Sequence, residues 1–219
     1  YFNSSENFLT RMFTLEYSQW FDFMLPGLHA LGIPIPLGGT SNHFRTEVLR
    51  AEGGWDPHNV TEDADLGVRL EQRRYRIGIV NSSTYEEANS QLRNWVRQRS
   101  RWIKGYMQTY LVHMRHPVRL LRSVGPVGFL GFQFFVGTPP LTLLINPILW
   151  GVFAVWLIAD PAWIDAVFPP VVLGIALFNL LIANLFYMYF GVVAAFKRRL
   201  YGLALFGLLQ PIYWLIHSW

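Results

Sequence analysis

At 219 residues the chain has room for one domain, or for a smaller domain joined to a membrane part. It contains no cysteine, which excludes a disulfide framework, a thiol nucleophile and a Cys-ligated zinc. Hydrophobic residues make up 52% and the net charge is only +4, but both are unevenly placed: fifteen of the eighteen Lys and Arg precede Val124, and none lies between Val124 and Phe196. This asymmetry predicts a polar portion over 1–123 and a membrane-embedded portion over 124–219. No signal peptide is visible, the chain opens on Tyr1, and Trp219 closes it inside an apolar run, so a fragment of a longer protein is expected.

The opening stretch NSSENFLTRMFTLEYSQWFDFML reads as an amphipathic helix, with Asn3 and Glu6 spaced as a capping box. Its apolar face, Phe8, Met12, Phe13, Leu15, Trp20, Phe21 and Met24, is suited to a sheet or to a membrane interface. Pro34 and Pro36 then lead into a glycine-containing turn, GGTSNHFR. A second helix is expected from Thr61 to about Arg74, followed by a short strand, YRIGIV. A third helix starts after Asn89-Ser90, a candidate cap, and continues towards His116-Pro117. Helices alternating with short strands predict an α/β fold whose sheet is mostly elsewhere.

Charge threads the apolar remainder. Arg115, Arg119 and Arg122 form one basic rim and Lys197–Arg199 the next, and the positive-inside bias puts both in the cytoplasm. Asp160 and Asp165 then mark an outer turn. An interfacial or re-entrant segment over 124–137 is expected, with spans over 139–158 and 171–196. A third span leaves from Leu203 with a kink at Pro211, making about three in all. Asn179, Asn184 and Gln210 are the polar groups of these spans, read as interhelical hydrogen-bonding groups rather than channel lining.

Three stretches are suited to chemistry: GGTSNHFR (Gly38–Arg45), TEDADLGVRL (Thr61–Leu70) and QRSRW (Gln98–Trp102). In TEDADLGVRL, Thr61 has the character of an N-cap, with Glu62, Asp63 and Asp65 in the first turn. Acidic residues there complement the helix dipole, which explains them without function. The functional alternative is a carboxylate held rigidly at a helix start to take a proton from a hydroxyl. A metal-binding reading of Asp63 and Asp65 is discounted, because such a pair normally caps a hydrophobic strand and WDPHNV precedes it. In NWVRQRSRWIKGY, helical spacing sets Gln98, Arg101 and Trp102 on one face. Arginines can bind a diphosphate in bidentate fashion, and an indole offers a flat surface to a sugar. A basic helix lying on anionic lipid, with Trp95 and Trp102 as anchors, is the competing explanation and accounts for Arg93, Arg97 and Lys104. His113 and His116 lack a third ligand and are read as surface residues, and nucleic-acid binding is set aside because the Arg-rich helix precedes apolar spans.

Thr61-Glu62-Asp63, then Gln98-Arg99-Ser100-Arg101-Trp102, then a run of membrane helices resembles the family 2 glycosyltransferases that build β-linked polysaccharides, such as cellulose and hyaluronan synthases. The five residues fit the family's Q-x-x-R-W pattern without departure, and order, separation and following spans agree over essentially the whole chain. GGTSNHFR is a weaker match to the family's small-residue turn. The resemblance implies the C-terminal portion of a GT-A type domain followed by an α-helical transmembrane region. It implies Asp63 as catalytic base, Gln98, Arg99 and Arg101 beside the donor diphosphate, and Thr61, Glu62, Trp102, Gly39 and Thr40 around the acceptor.

The resemblance also implies a UDP-sugar donor, with UDP-glucose favoured, a growing polysaccharide as acceptor, and contact with membrane lipids. Localisation would be a bacterial-type inner (plasma) membrane, multi-pass, with the catalytic part cytoplasmic. The family's uridine-binding Asp and its Mg²⁺- or Mn²⁺-holding DxD have no counterpart here, so the metal ligands are expected mostly outside this chain, none within it, and residues 1–219 alone are expected to be inactive. Transfer of a single sugar to a lipid is the nearest alternative; a non-catalytic, lipid-binding membrane protein is the alternative from another class. Nothing in the sequence speaks for or against further subunits.

Overall fold

The computed structural model describes residues 1–159 and 168–217, so the expected outer turn at Asp160 and Asp165 lies outside the described residues. By its contacts the chain groups into two units, one formed by Tyr1–Asn3 with Trp20–Leu141, the other by Ser4–Gln19 with the chain from Thr142.

The first unit holds α2 (Leu25–Ala30), α3 (Thr46–Ala51), α4 (Glu62–Gln72), α5 (Leu92–His113) and α6 (Pro117–Phe132), the last followed by a π-helical turn, Gln133–Gly137. Two apolar clusters organise it. Val68 of α4 packs with Leu120, Phe132 and Val136, flanked by Tyr106 and Tyr110 of α5. Leu25, Leu28 and Ile35 form the other, flanked by Trp20, Phe21 and Leu37. Two glycines permit the close packing that positions the site. A Cβ on Gly67 of α4 would lie 2.5 Å from the Ile35 carbonyl oxygen, and one on Gly105 of α5 would lie 2.4 Å from the Thr61 hydroxyl. Backbone and small side chains therefore approach there where any larger residue would force separation.

The short strand expected over YRIGIV is corrected: the described residues contain helices and extended connections but no strand. Tyr75–Val80 has strand-forming composition, yet none of the described residues forms a ladder with its backbone, and a lone extended segment is not a sheet.

In the second unit, α1 (Phe8–Gln19) packs against α9 (Asn184–Lys197) and the 3₁₀ segment Tyr201–Leu209. Of the apolar face read from the sequence, Met12, Phe13 and Leu15 are buried, joined by Leu9, while Phe8, Trp20 and Phe21 are half-buried and Met24 is exposed; the packing partner is helical rather than a sheet. The cap is displaced too. Asn7 Oδ1 accepts the Thr10 N–H and Thr10 Oγ1 accepts the Asn7 N–H, each at 3.0 Å, a reciprocal box one turn beyond the expected one. Asn3 instead exchanges two 2.8 Å hydrogen bonds with the Ala88 backbone inside the first unit. Gln19 donates to the Tyr187 carbonyl at 3.1 Å and to Gln210 Oε1 at 3.0 Å, so buried Gln210 is an interhelical hydrogen-bonding group. Asn184 returns to its own helix at the Leu180 carbonyl, 2.6 Å away.

Among the described residues two helical stretches are long and apolar enough to cross a membrane, Pro117–Ala159 and Pro170–Lys197. The first contains α6 and α7 (Thr138–Ala159), the second α8 (Pro170–Phe178) and α9. The segment expected to be interfacial is helical and runs on through the π turn into α7, broken only at Gly125, whose φ of 74° lies in the left-handed region open to glycine. Where a third span is expected, the described residues form a 3₁₀ segment from Tyr201 followed by α10 (Gln210–His217).

Candidate active site

The site is built where the start of α4 meets the flank of α5. Helix α4 begins at Glu62, as the acidic first turn predicts, with Thr61 at the N-cap position. The Thr61 side chain does not cap the helix. It faces Asn59, whose Oδ1 accepts the Thr61 N–H at 3.0 Å and lies 3.4 Å from the Thr61 hydroxyl. Thr61 is buried, and its back rests against Gly105.

Asp63 follows on the first turn of α4. Its Oδ1 accepts the Ala64 N–H at 2.7 Å, and its Oδ2 lies 3.3 Å from where a Cβ on Gly39 would stand. The turn Gly38–Ser41 therefore sits beside this carboxylate, bringing together two stretches more than twenty residues apart in sequence. Gly39 and Thr40 are exposed. Burial pushes the Asp63 carboxyl above its ordinary value, the Glu62 charge adds to this, and the Ala64 N–H opposes it. Such a carboxylate is a stronger proton acceptor than a solvated one once ionised. Tyr106, one residue past Gly105, is a neighbour that sequence reasoning missed: burial and the nearby Asp63 charge raise its phenol above the ordinary range.

Helix α5 has two faces. Trp95, Gln98, Trp102, Gly105 and Thr109, spaced three and four apart, are buried or half-buried, while Arg93, Arg97, Arg101 and Lys104 are exposed. Arg101 thus does not share the inward face with Gln98 and Trp102. Arg99 is half-buried, its guanidinium 4.8 Å from the Trp102 ring centre and 5.3 Å from that of Trp95. Trp95 is only 1% exposed, so it is not an interface anchor. Gln98 Oε1 accepts from Asn89 Nδ2 at 2.8 Å. Asn89, read from the sequence as a helix cap, holds a motif side chain instead, and Gln91 occupies the cap position.

Asp65 does not join Asp63. Its Oδ2 receives Arg69 Nε and its Oδ1 receives His113 Nε2, each at 2.8 Å, while His113 Nδ1 lies 2.8 Å from Gln72 Nε2. Arg69 also donates to the Glu52 and Gly54 carbonyls. Burial alone would raise the Asp65 carboxyl, but the His113 and Arg69 hydrogen bonds and charges outweigh it and hold the group low. His113 is therefore a buried link between α4 and α5, which corrects its reading as a surface residue. With Asp65 so engaged, and no cluster of three His, Cys, Asp or Glu side chains among the described residues, the residues present do not fit a divalent-metal site.

Residues 1–218 match glycosyl transferase family group 2. The chain is 30% identical over 108 residues to a beta-monoglucosyldiacylglycerol synthase of Synechocystis, covering 47% of this chain and 22% of that protein. It is 30% identical over 192 residues to the uncharacterized glycosyltransferase YaiP of Escherichia coli, covering 77% of this chain and 46% of the relative. With the probable glycosyltransferase YdaM of Bacillus subtilis it shares 28% over 123 residues, 55% of this chain and 29% of the other. The chain spans less than half the length of these relatives. No solved structure matches it. The family is consistent with a GT-A type domain, although no strand occurs among the described residues. From the match over nearly its full length, the chain belongs to glycosyl transferase family group 2.

Proposed function

We propose that this chain is the acceptor-side part of a membrane-associated, inverting glycosyltransferase that moves a hexose, glucose being favoured, from a UDP-sugar to a lipid hydroxyl. In this reading Asp63 takes the proton of the acceptor hydroxyl. The acceptor oxygen forms a new bond to the anomeric carbon, and the bond from that carbon to the diphosphate breaks with its electron pair leaving on the diphosphate. Arg99 and Arg101, with Gln98, balance the charge that develops there, and such electrostatic stabilisation is worth most at a dry, pre-ordered site. Arg99 is suited to this by its stacking between two indoles, which fixes the guanidinium plane at little further entropic cost. Trp102 lies beneath the acceptor, with Thr61, Glu62, Gly39 and Thr40 around it. The Mg²⁺ or Mn²⁺ that the family resemblance implies would be held by residues outside this chain.

The observation that carries the reading is the Asp63 carboxylate, half-buried at the head of α4 and beside Gly39, on a turn locked to the Q-x-x-R-W helix through Thr61 and Gly105. Two further observations favour a lipid acceptor. Relatives are named for a β-glucosylated diacylglycerol, whose β linkage requires inversion from an α-linked donor. The Pro117–Ala159 and Pro170–Lys197 stretches are also apolar enough to lie in a bilayer, most simply the inner membrane with the site on its cytoplasmic side. The polysaccharide acceptor keeps one observation in its favour, the complete Q-x-x-R-W sequence with a half-buried Trp102.

Membranes carrying the full-length protein, given labelled UDP-glucose and diacylglycerol, test this. Solvent-extractable label in a single glucosyl lipid is expected. Label retained in an insoluble polymer would transfer the assignment to polysaccharide synthesis, and no transfer from any UDP-hexose would overturn both.

A further inference from the structure

We propose that Asn59 is a positioning residue for the transfer, holding the Thr61–Asp63 turn to α5 through Thr109; the inference rests on the reading of Asp63 as the base. Asn59 is 7% exposed and Thr109 is fully buried. The two ends of the Asn59 amide do different work. Its carbonyl oxygen accepts the Thr61 N–H at 3.0 Å, and its amide nitrogen donates to Thr109 Oγ1 at 2.8 Å. An amide can accept from a backbone N–H and donate to a hydroxyl at once, because acceptor and donor are separate atoms. The link therefore runs from the residue two before Asp63 to the residue seven after Trp102, bridging the two motifs.

Two other contacts converge on the same turn of α5. Gln108 Nε2 donates to the His58 carbonyl at 3.0 Å, and Gly105 admits Thr61 against the helix. Residues 58, 59 and 61 are thus fixed against residues 108, 109 and 105, in register. The Thr61 carbonyl accepts the Asp65 N–H at 3.2 Å, but its side chain, unlike that of an ordinary cap residue, makes no bond to the first turn of its own helix. Its hydrogen bonds to Asn59 turn it towards α5 instead, so the start of α4 is oriented by α5 rather than by itself. The placement of a base relative to donor-contacting side chains is the quantity to which rate is most sensitive, with a misplacement of about 1 Å costing on the order of 100-fold. Packing alone leaves such a turn looser than a bonded link does.

The test uses the full-length enzyme in membranes, with Asn59→Ala, Thr109→Val, their double variant, Asn59→Asp, and Asp63→Asn alongside. Asn59→Ala and Thr109→Val should each lower kcat by about 30- to 100-fold while the KM values for donor and acceptor stay within about twofold. The double variant should be no slower than the slower single, because both break one link. Asn59→Asp still accepts the Thr61 N–H and can accept the Thr109 hydroxyl proton, so it should recover to within about tenfold of the parent. A merely structural role would lower the amount of folded enzyme without this division between kcat and KM. Should Asn59→Ala fail to accumulate, Thr109→Val reads the same link from its other end. An inactive Asp63→Asn enzyme with unimpaired Asn59→Ala or Thr109→Val kcat, or single effects that multiply in the double, overturns this proposal alone. An active Asp63→Asn enzyme overturns it together with the base reading.

Discussion

Replacing Gly105 by alanine is the sharpest test of how the two motifs are held together. The added Cβ would stand 2.4 Å from the Thr61 hydroxyl oxygen, 2.5 Å from its methyl carbon and 2.7 Å from its backbone nitrogen. A side chain could swing aside, but the backbone nitrogen cannot, so α5 and the start of α4 must separate by about 1 Å to restore ordinary contact. Overpacking of this kind costs about 1–3 kcal/mol. Alanine returns ~1 kcal/mol of helix propensity over glycine, leaving a net destabilisation of about 0–2 kcal/mol. The same displacement acts on the rate far more strongly: a loss of about 100-fold in kcat corresponds to ~2.7 kcal/mol on the barrier. The assay is kcat for sugar transfer beside thermal unfolding of the purified full-length enzyme. Gly151→Ala serves as control, since its Cβ would meet nothing within 4 Å. A Gly105→Ala enzyme that keeps kcat within about threefold, while Gly151→Ala behaves normally, would refute the claim that this contact sets the site.

Other consequences follow from neighbouring contacts. Asp65→Ala strips a carboxylate from buried His113 and partly buried Arg69, so unfolding should become easier by about 3 kcal/mol, the lower end for a broken buried pair because Arg69 retains some exposure. The folded Asp65 carboxyl titrates below its unfolded value, so the stability it contributes is present above about pH 4 and is lost as pH falls through the lower, folded value. The melting temperature of the parent should accordingly fall faster in acid than that of Asp65→Ala; parallel curves would contradict the network. Asn89→Ala removes the donor to Gln98 Oε1, and a loss of about 1 kcal/mol, roughly fivefold in kcat/KM for the donor, is expected with little change in melting temperature. Unchanged donor kinetics would mean that the Gln98 amide needs no such support.

The sequence revealed the elements that local rules govern. The acidic turn opening at Glu62 starts α4, and the 3.6-residue period of α1 carries its buried face, because caps and apolar stripes are written in neighbouring residues. The fit of residues 61–63 and 98–102 to a glycosyltransferase pattern led to the family that the match over 1–218 establishes. What escaped reading were pairings between distant residues: Asn59 with Thr109, Asn89 with Gln98, Asp65 with His113. No periodicity marks them, since each depends on which helices meet. Both asparagines stand where turn or cap residues are normal, so their ordinary local role concealed the longer bond. The strand at Tyr75–Val80 fails for the complementary reason: its composition is local, but a strand exists only through a partner.

The proposed role of Asp63 as the proton acceptor stands or falls with Asp63→Asn in the full-length enzyme. Asparagine keeps the shape and can still accept the Ala64 N–H, but it cannot take a proton. Because burial disfavours the Asp63 charge, removing that charge should leave the folded protein as stable or more so near neutral pH. Sugar transfer should fall by about 10²–10⁴-fold with an undiminished melting temperature. Transfer within about tenfold of the parent, from an enzyme of equal stability, would contradict it.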